Sequence, residues 1–284
     1  MERISWKVVS VLICVTIILY GLIIHSFVNS LPHTNQYYSS TNQSTYQKPQ
    51  QIVNRTFSFK AAIIDQLSIS DPDPFFIQVA TYVLEMANFT VDYYPREQVM
   101  IELYRDLATY DYSLIIFRVH SGREPVTFFF SGEPYNETEY VPEQLSDQIG
   151  QCQAPDETLT HFSIKPLFVK YAMKGSFYKT VIIAIGCASL HTTEMAQAFV
   201  EKGAAAYVGW NASLTAFYGD LATLSVINHL LLGNQTIKEA VDAAMIEVGP
   251  CPMDELGTTS VLSFYPSSSQ NYTISCAAGA SRIP

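Results

Sequence analysis

The feature that most constrains the fold is an alternation of short apolar runs with amphipathic helical patterns. The first three runs lie at 59–67, 89–94 and 112–119, and apolar residues recur at helical spacing over 75–87 and 96–108. The runs at 59–67 and 112–119 are continuous, which is typical of strands that are buried on both faces, whereas the run at 89–94 alternates between apolar and polar residues, as a strand does. Because strands alternate with helices, we expect an α/β fold with a mostly parallel central sheet and right-handed crossovers.

The second half of the chain continues this alternation. The predicted strands are 180–185, 204–210 and 260–266, and the predicted helices are 192–202, 214–232 and 236–248. Asp73 followed by Pro74 is typical of a helix start, and Thr236 with Glu239 has the spacing of a capping box. The region 133–175 lacks a clear period, and we interpret it as a long insertion between strands.

The N-terminus predicts the compartment. Residues 6–27 are almost uniformly apolar, which is the length of a membrane-spanning helix. Arg3 and Lys7 lie at its N-terminal end, and the next Lys or Arg is Lys48. The positive-inside rule therefore predicts a single-pass cell-membrane protein with a cytoplasmic N-terminus and an extracellular domain. A cleaved signal peptide is the alternative.

These observations predict three parts of the chain. Residues 1–28 form a signal-anchor transmembrane segment, 29–56 form a flexible polar stalk, and 57–284 form the α/β domain with its insertion at about 133–175. The net charge of −10 argues against nucleic acid as a partner. Seven Asn-x-Ser/Thr sequons predict an exported, N-glycosylated surface protein. They begin at Asn42, Asn54, Asn88, Asn136, Asn211, Asn234 and Asn271.

A cysteine and a histidine follow two of the predicted strands directly. Cys187 comes after the run 180–185, and His120 comes after the run 112–119. Free cysteines and strand-end histidines are common structural residues, so neither is informative alone. The carboxyl ends of parallel strands meet at one edge of a sheet, where ligands bind in open α/β folds. We therefore expect a thiol–imidazole pair there, in which the imidazole assists a nucleophilic thiolate.

Three blocks of sequence resemble the caspase, gingipain, legumain and clostripain superfamily of cysteine peptidases and its CHAT-domain relatives. The blocks are IIFRVHSG (115–122), VIIAIGCAS (181–189) and the segment from EKGAAAYVGW onward (201–244). The resemblance implies a three-layer caspase-like fold, in which Cys187 is the nucleophile and His120 the general base. It also implies an oxyanion hole formed by backbone amides around Ser121, Gly122 and Cys187.

The resemblance further implies a first substrate pocket at the carboxyl ends of the first and fifth strands. The residues there are Asp65, Trp210, Asn211 and Ser213, with Asp220 as a weaker candidate. An acid in such a pocket favours a basic residue at the cleavage position, although Asp65 could equally be an ordinary strand-end residue. The implied partner is a peptide or protein substrate, and no cofactor is expected.

Two positions differ from the usual family pattern, which leaves a second function open. Ser121 separates His120 from Gly122, where family members have Gly directly after His, and Gly186 precedes Cys187 where an acid, Asn or Ala is usual. The alternative function is a catalytically inactive caspase-like ectodomain that binds a peptide or protein partner. A small-molecule sensor or amidotransferase-like α/β domain is a third hypothesis, but its Gly-rich nucleophile elbow is missing.

The remaining cysteines and histidines give weaker signals. Cys187 and His191 have a spacing seen in metal sites, but a second ligand pair is missing, so no metal is expected. In an extracellular domain, Cys251 and Cys276 are candidates for a disulfide, and pairing among Cys152, Cys251 and Cys276 leaves one of them over.

Overall fold

The computed structural model describes residues 57–274 apart from 124, 155–156, 253–256 and 258. The predicted transmembrane segment at 6–27 and the stalk at 29–56 lie outside the described residues. Among the helices of the described region, none is long and apolar enough to cross a membrane.

The domain contains ten described strands and six described α-helices. The strands are β1 (Lys60–Asp65), β2 (Thr90–Pro95), β3 (Leu114–Arg118), β4 (Ser121–Gly122), β5 (Phe128–Pro134), β6 (Ile149–Cys152), β7 (His161–Ile164), β8 (Val181–Ile185), β9 (Ala206–Trp210) and β10 (Leu262–Tyr265). The helices are α1 (Pro74–Met86), α2 (Ile101–Asp106), α3 (Val141–Leu145), α4 (Glu194–Glu201), α5 (Ala216–Ile227) and α6 (Ile237–Glu247).

Six strands form the central sheet, in the order β10-β9-β8-β3-β1-β2. Its first five strands in chain order pair in parallel, and β10 pairs antiparallel with β9 at the edge. The predicted α/β class with a mostly parallel sheet is therefore confirmed. The interior strands are buried along their whole length apart from Lys60 at the start of β1, which explains why they are largely apolar runs in the sequence.

The region predicted as an irregular insertion contributes to a second sheet. Four antiparallel strands pair there in the order β4-β5-β7-β6. Strands β6 and β7 come from the predicted insertion, and β4 follows β3 after only two residues. The strands are short and one of their pairings contains a register shift, so the sequence carries little periodic signal.

The two faces of the central sheet pack against different layers. On one face, Phe117 and Ile182 share a core with Phe129 and Phe162 of the second sheet and with Phe199 of α4. The opposite face packs against α1, α5 and α6. Side chains alternate between the two faces along each strand, so each interior strand contributes to both cores.

Local sequence signals set several helix ends. The Asp73 carboxylate accepts a hydrogen bond from the backbone N–H of Phe76, and both bonds of the capping box between Thr236 and Glu239 are present. The helix expected over 96–108 is instead broken at Met100, which has an extended backbone. Tertiary bonds explain the break, because the Glu133 carboxylate accepts from the N–H of Ile101.

Candidate functional site

His120 and Cys187 follow neighbouring strands at the same edge of the central sheet. Arg118 pairs with Ile185 in the register of β3 and β8, and each candidate residue lies two positions beyond its strand's paired residue. The N–H of Val119 donates to the carbonyl of Ile185 at 3.1 Å, so the contact between the strands continues towards the site. Both side chains are partly exposed.

Two hydroxyl groups from the β4–β5 hairpin bind the turn that contains Cys187. Ser121 Oγ donates to the carbonyl oxygen of Cys187 at 2.5 Å, and Thr127 Oγ1 donates to that of Ala188 at 3.2 Å. Since Ser121 directly follows His120, the first bond ties the histidine segment to the cysteine segment.

Gly186 and Ser121, the residues next to Cys187 and His120, are close to each other in space. A Cβ atom added at Gly186 would lie 2.4 Å from Ser121 Oγ and 2.9 Å from the carbonyl oxygen of Val119. No real side chain tolerates a contact of that length without a shift of its surroundings. The glycine before Cys187 therefore provides the space that the serine after His120 occupies.

The residue after the cysteine has a strained backbone. Ala188 has a φ of 54°, in the left-handed region that costs a non-glycine residue about 1–2 kcal/mol. Its N–H donates to the carbonyl of Ala212, and its own carbonyl accepts from Thr127. Strain of this kind is concentrated at functional sites, where the surrounding structure holds the backbone in place.

The histidine segment is held by residues that follow β1. The backbone N–H of His120 donates to Gln66 Oε1 at 2.9 Å, and His120 Nε2 lies 3.4 Å from Ser70 Oγ. The imidazole also lies beside the Phe130 ring, with the ring centroids 5.6 Å apart. Gln66 is fully buried, and its Nε2 has no hydrogen-bond partner among the described residues.

The thiol of Cys187 contacts the segment that leads into α5. Its Sγ lies 3.4 Å from the carbonyl oxygen of Leu214, in the geometry of an S–H donor. A carbonyl oxygen accepts a hydrogen bond from a thiol but not from a thiolate. This contact must therefore break before the sulfur can act as a thiolate nucleophile.

Two of the predicted oxyanion residues, Ser121 and Gly122, directly follow His120 in the chain. Ser121 and Gly122 form β4, and Gly122 lies opposite Phe128 in the β4–β5 ladder. The Phe128 ring packs so closely over Gly122 that an added Cβ would meet it at 2.1 Å. The role of these amides and that of Cys187 stays a prediction.

Asp65, the acid proposed for the substrate pocket, belongs to a buried ion cluster. Arg118 is fully buried and donates through Nη1 to Asp65 at 3.0 Å, and through Nε and Nη2 to both oxygens of Asp220 at 2.9 Å. Tyr93 also donates to Asp65. Burial raises the pKa of both carboxyl groups, that of Asp220 to about 6. To bind a basic substrate side chain, Asp65 would first have to release Arg118.

The other proposed pocket residues differ in exposure. Trp210 is fully buried, Ser213 is half-buried and Asn211 is exposed. The Asn211 side chain accepts from the N–H of Val261 through Oδ1. The structure therefore brings Asn211 and Ser213 to the surface, and withdraws Asp65 and Trp210 from it.

Sequence reasoning missed Arg118, Gln66 and Thr127 as parts of this site. Arg118 had a detectable signal, because an arginine within the apolar run 114–119 needs carboxylate partners if that strand is buried. Gln66 and Thr127 had none, because each acts through one tertiary hydrogen bond.

The remaining predicted sites have mixed outcomes. Every described sequon asparagine is exposed, namely Asn88, Asn136, Asn211, Asn234 and Asn271. Asn42, Asn54 and Cys276 lie outside the described residues, so the pairing of Cys276 with the buried Cys251 stays a prediction.

His191, whose spacing from Cys187 is one seen in metal sites, contacts the carbonyl of Asn211 through Nδ1. Among the described side chains, no group of three or more His, Cys, Asp and Glu residues could hold a metal ion.

The fold and the site define an α/β protein with a cysteine and a histidine at the carboxyl edge of a mostly parallel six-stranded sheet. No protein-family model matches the chain, and no curated protein matches its sequence.

Proposed function

We propose that the chain is a membrane-anchored extracellular cysteine endopeptidase in which Cys187 is the nucleophile and His120 the general base. The proposal rests on the hydrogen bond from Ser121 Oγ to the carbonyl oxygen of Cys187, together with the matched register of β3 and β8. The bond supports the proposal because it fixes the cysteine segment to the residue that follows the histidine. A caspase-like three-layer arrangement is part of the proposal.

The proposed reaction is acyl transfer through a thioester. His120 accepts the thiol proton after Cys187 leaves its contact with Leu214, and the sulfur attacks the substrate carbonyl. Backbone amides around Ser121, Gly122 and Cys187 stabilise the oxyanion. His120 then protonates the leaving amine, the C–N bond breaks, and water activated by the same imidazole hydrolyses the thioester.

The test is covalent labelling of the full-length chain in membranes, with peptidyl acyloxymethyl ketones that carry different side chains at the cleavage position. We expect labelling and peptide cleavage by wild type, and loss of both in Cys187→Ala. His120→Ala should reduce cleavage by at least 100-fold. Cys152→Ala is the matched control, because Cys152 is buried in the second sheet, where its thiol lies 3.3 Å from the carbonyl of His161.

A second candidate function is an inactive ectodomain of the same fold that binds a peptide or protein. Two contacts favour it: the thiol of Cys187 lies against the carbonyl of Leu214, and Asp65 is already paired with Arg118. If Cys187 reacts with none of the ketones and with no small alkylating agent, although the protein unfolds cooperatively, this candidate is favoured and the peptidase proposal is wrong.

A further inference from the structure

Large apolar side chains are exposed at the edge of the sheet that carries His120 and Cys187. The exposed fractions are 57% for Ile69, 40% for Phe75, 64% for Phe217 and 37% for Leu221. We call these four residues the apolar rim. Single exposed apolar residues need no explanation, but several at one edge of a sheet, next to candidate functional residues, are typical of a binding surface.

The rim is connected to both members of the dyad. Ile69 is adjacent to Ser70, whose Oγ lies 3.4 Å from His120 Nε2. Phe217 follows Leu214 by three residues, and the carbonyl of Leu214 contacts the thiol of Cys187. The rim therefore begins beside the histidine on one side and beside the cysteine on the other.

The helices that carry the rest of the rim begin at this same edge. Helix α1 follows the carboxyl end of β1 and α5 follows that of β9, so both first turns lie where the strands end. Phe217 and Leu221 are four residues apart and share one face of α5. Arg118 joins the two helices, because it bonds to Asp220 of α5 and lies 5.8 Å from the Phe76 ring centroid in α1.

Most acidic side chains near the rim already accept hydrogen bonds from other groups of the protein. Asp65 and Asp220 are buried and share Arg118, and Asp73 accepts the N-terminal hydrogen bond of α1. Asp71 is exposed. A basic substrate side chain would therefore meet one exposed aspartate of this group, whereas a large apolar one would meet four apolar side chains.

We propose that the apolar rim binds a large apolar side chain of the substrate, such as Phe or Leu, at the cleavage position. This inference rests on the proposed peptidase function and specifies its substrate class. Burial of such a side chain favours its substrate over one with alanine at that position by roughly 10- to 100-fold in kcat/KM.

The test measures kcat/KM of the full-length chain with peptides that differ only in Phe, Leu, Ala, Lys or Asp at the cleavage position. We expect Phe and Leu to be preferred. Phe217→Ala should lower kcat/KM about tenfold for these two peptides and leave the Ala peptide almost unchanged. Ile246→Ala on α6 is the matched control, because Ile246 is even more exposed, at 84%.

The outcomes separate this inference from the proposed function. Cleavage after Lys that Asp71→Asn abolishes would overturn the apolar preference and leave the peptidase intact. If Phe217→Ala changes only self-association, measured by sedimentation, a second copy covers the rim and the inference is wrong. Absence of all cleavage and labelling would overturn the peptidase and this inference with it.

Discussion

The contact between Ser121 and Gly186 makes the two residues interdependent. Gly186→Ala would place a Cβ atom 2.4 Å from Ser121 Oγ, so we expect it to lower the free energy of unfolding by about 1–3 kcal/mol. Ser121→Gly alone removes a hydrogen bond to Cys187, which costs about 1 kcal/mol. Chemical denaturation of both variants measures these costs.

The double variant decides whether the two residues are coupled. Removal of the serine side chain opens space for the new Cβ, so Gly186→Ala should cost at least about 1 kcal/mol less in the Ser121→Gly background. Additive costs would show that the clash with the Val119 carbonyl, and not the serine, limits this position.

The strained backbone of Ala188 predicts that its replacement by glycine costs less stability than such a replacement usually does. Ala188→Gly relieves the left-handed backbone, which offsets the entropy of glycine and the loss of a buried methyl group. We therefore expect a stability within about 1 kcal/mol of wild type. The control is Ala198→Gly in α4, which is equally buried but helical, and should cost about 1–2 kcal/mol. Equal losses in thermal unfolding would contradict the strain argument.

At the scale of elements, the buried ion cluster joins β1, β3 and α5 and predicts a pH dependence. Two carboxyl groups share Arg118, and burial raises the pKa of Asp220 to about 6. The folded protein therefore holds a proton between about pH 4 and pH 6 that the unfolded chain has lost. The cluster's contribution to the free energy of unfolding is greatest near pH 4 and falls as the pH rises towards 6.

Asp220→Asn isolates this effect, because asparagine keeps an acceptor for Arg118 and removes one of the two charges. From pH 4 to pH 6.5, the free energy of unfolding of wild type should fall relative to that of the variant by roughly 1–3 kcal/mol. Denaturant titrations at several pH values measure it. A difference that is constant or grows with pH would show that both carboxylates stay ionised in the folded protein.

The elements differ in how well the sequence predicts them, for physical reasons. The interior strands of the central sheet are predictable because they are apolar on both faces, and α6 because its capping box lies within four consecutive residues. The second sheet is not, because β6 and β7 have four residues each and the pairing of β7 with β5 contains a register shift. Their stability comes from tertiary pairing, which leaves no local period.

The candidate site shows the same division. Cys187 and His120 could be placed at one edge, because parallel register fixes where strands end. The pairing of Asp65 with a buried arginine could not be predicted from the position of Asp65 at the end of a strand. It depends on Arg118, which pairs with Asp65 across the β1–β3 register, and on Asp220, which comes from a helix far along the chain.

At the scale of the whole molecule, the exposed sequons lie on different parts of the domain. Asn88 follows α1, Asn136 follows β5, and Asn234 precedes α6. Asn211 lies beside the candidate site, since its carbonyl contacts His191 and the next carbonyl binds the N–H of Ala188. A glycan at Asn211 would therefore lie near the turn that contains Cys187 and Ala188, whereas a glycan at Asn234 would lie next to a helix cap.

Thr236 has two roles that three variants can separate. It is the third residue of the Asn234 sequon, and its hydroxyl also accepts the capping bond from the N–H of Glu239. Thr236→Ala should remove the glycan and lower the free energy of unfolding by about 1 kcal/mol, because α6 loses its cap. Asn234→Gln should remove only the glycan, and Thr236→Ser should retain both. Mass spectrometry before and after enzymatic deglycosylation, with thermal unfolding of the deglycosylated proteins, tests all three. A glycan mass unaffected by Asn234→Gln would show that this sequon is not used.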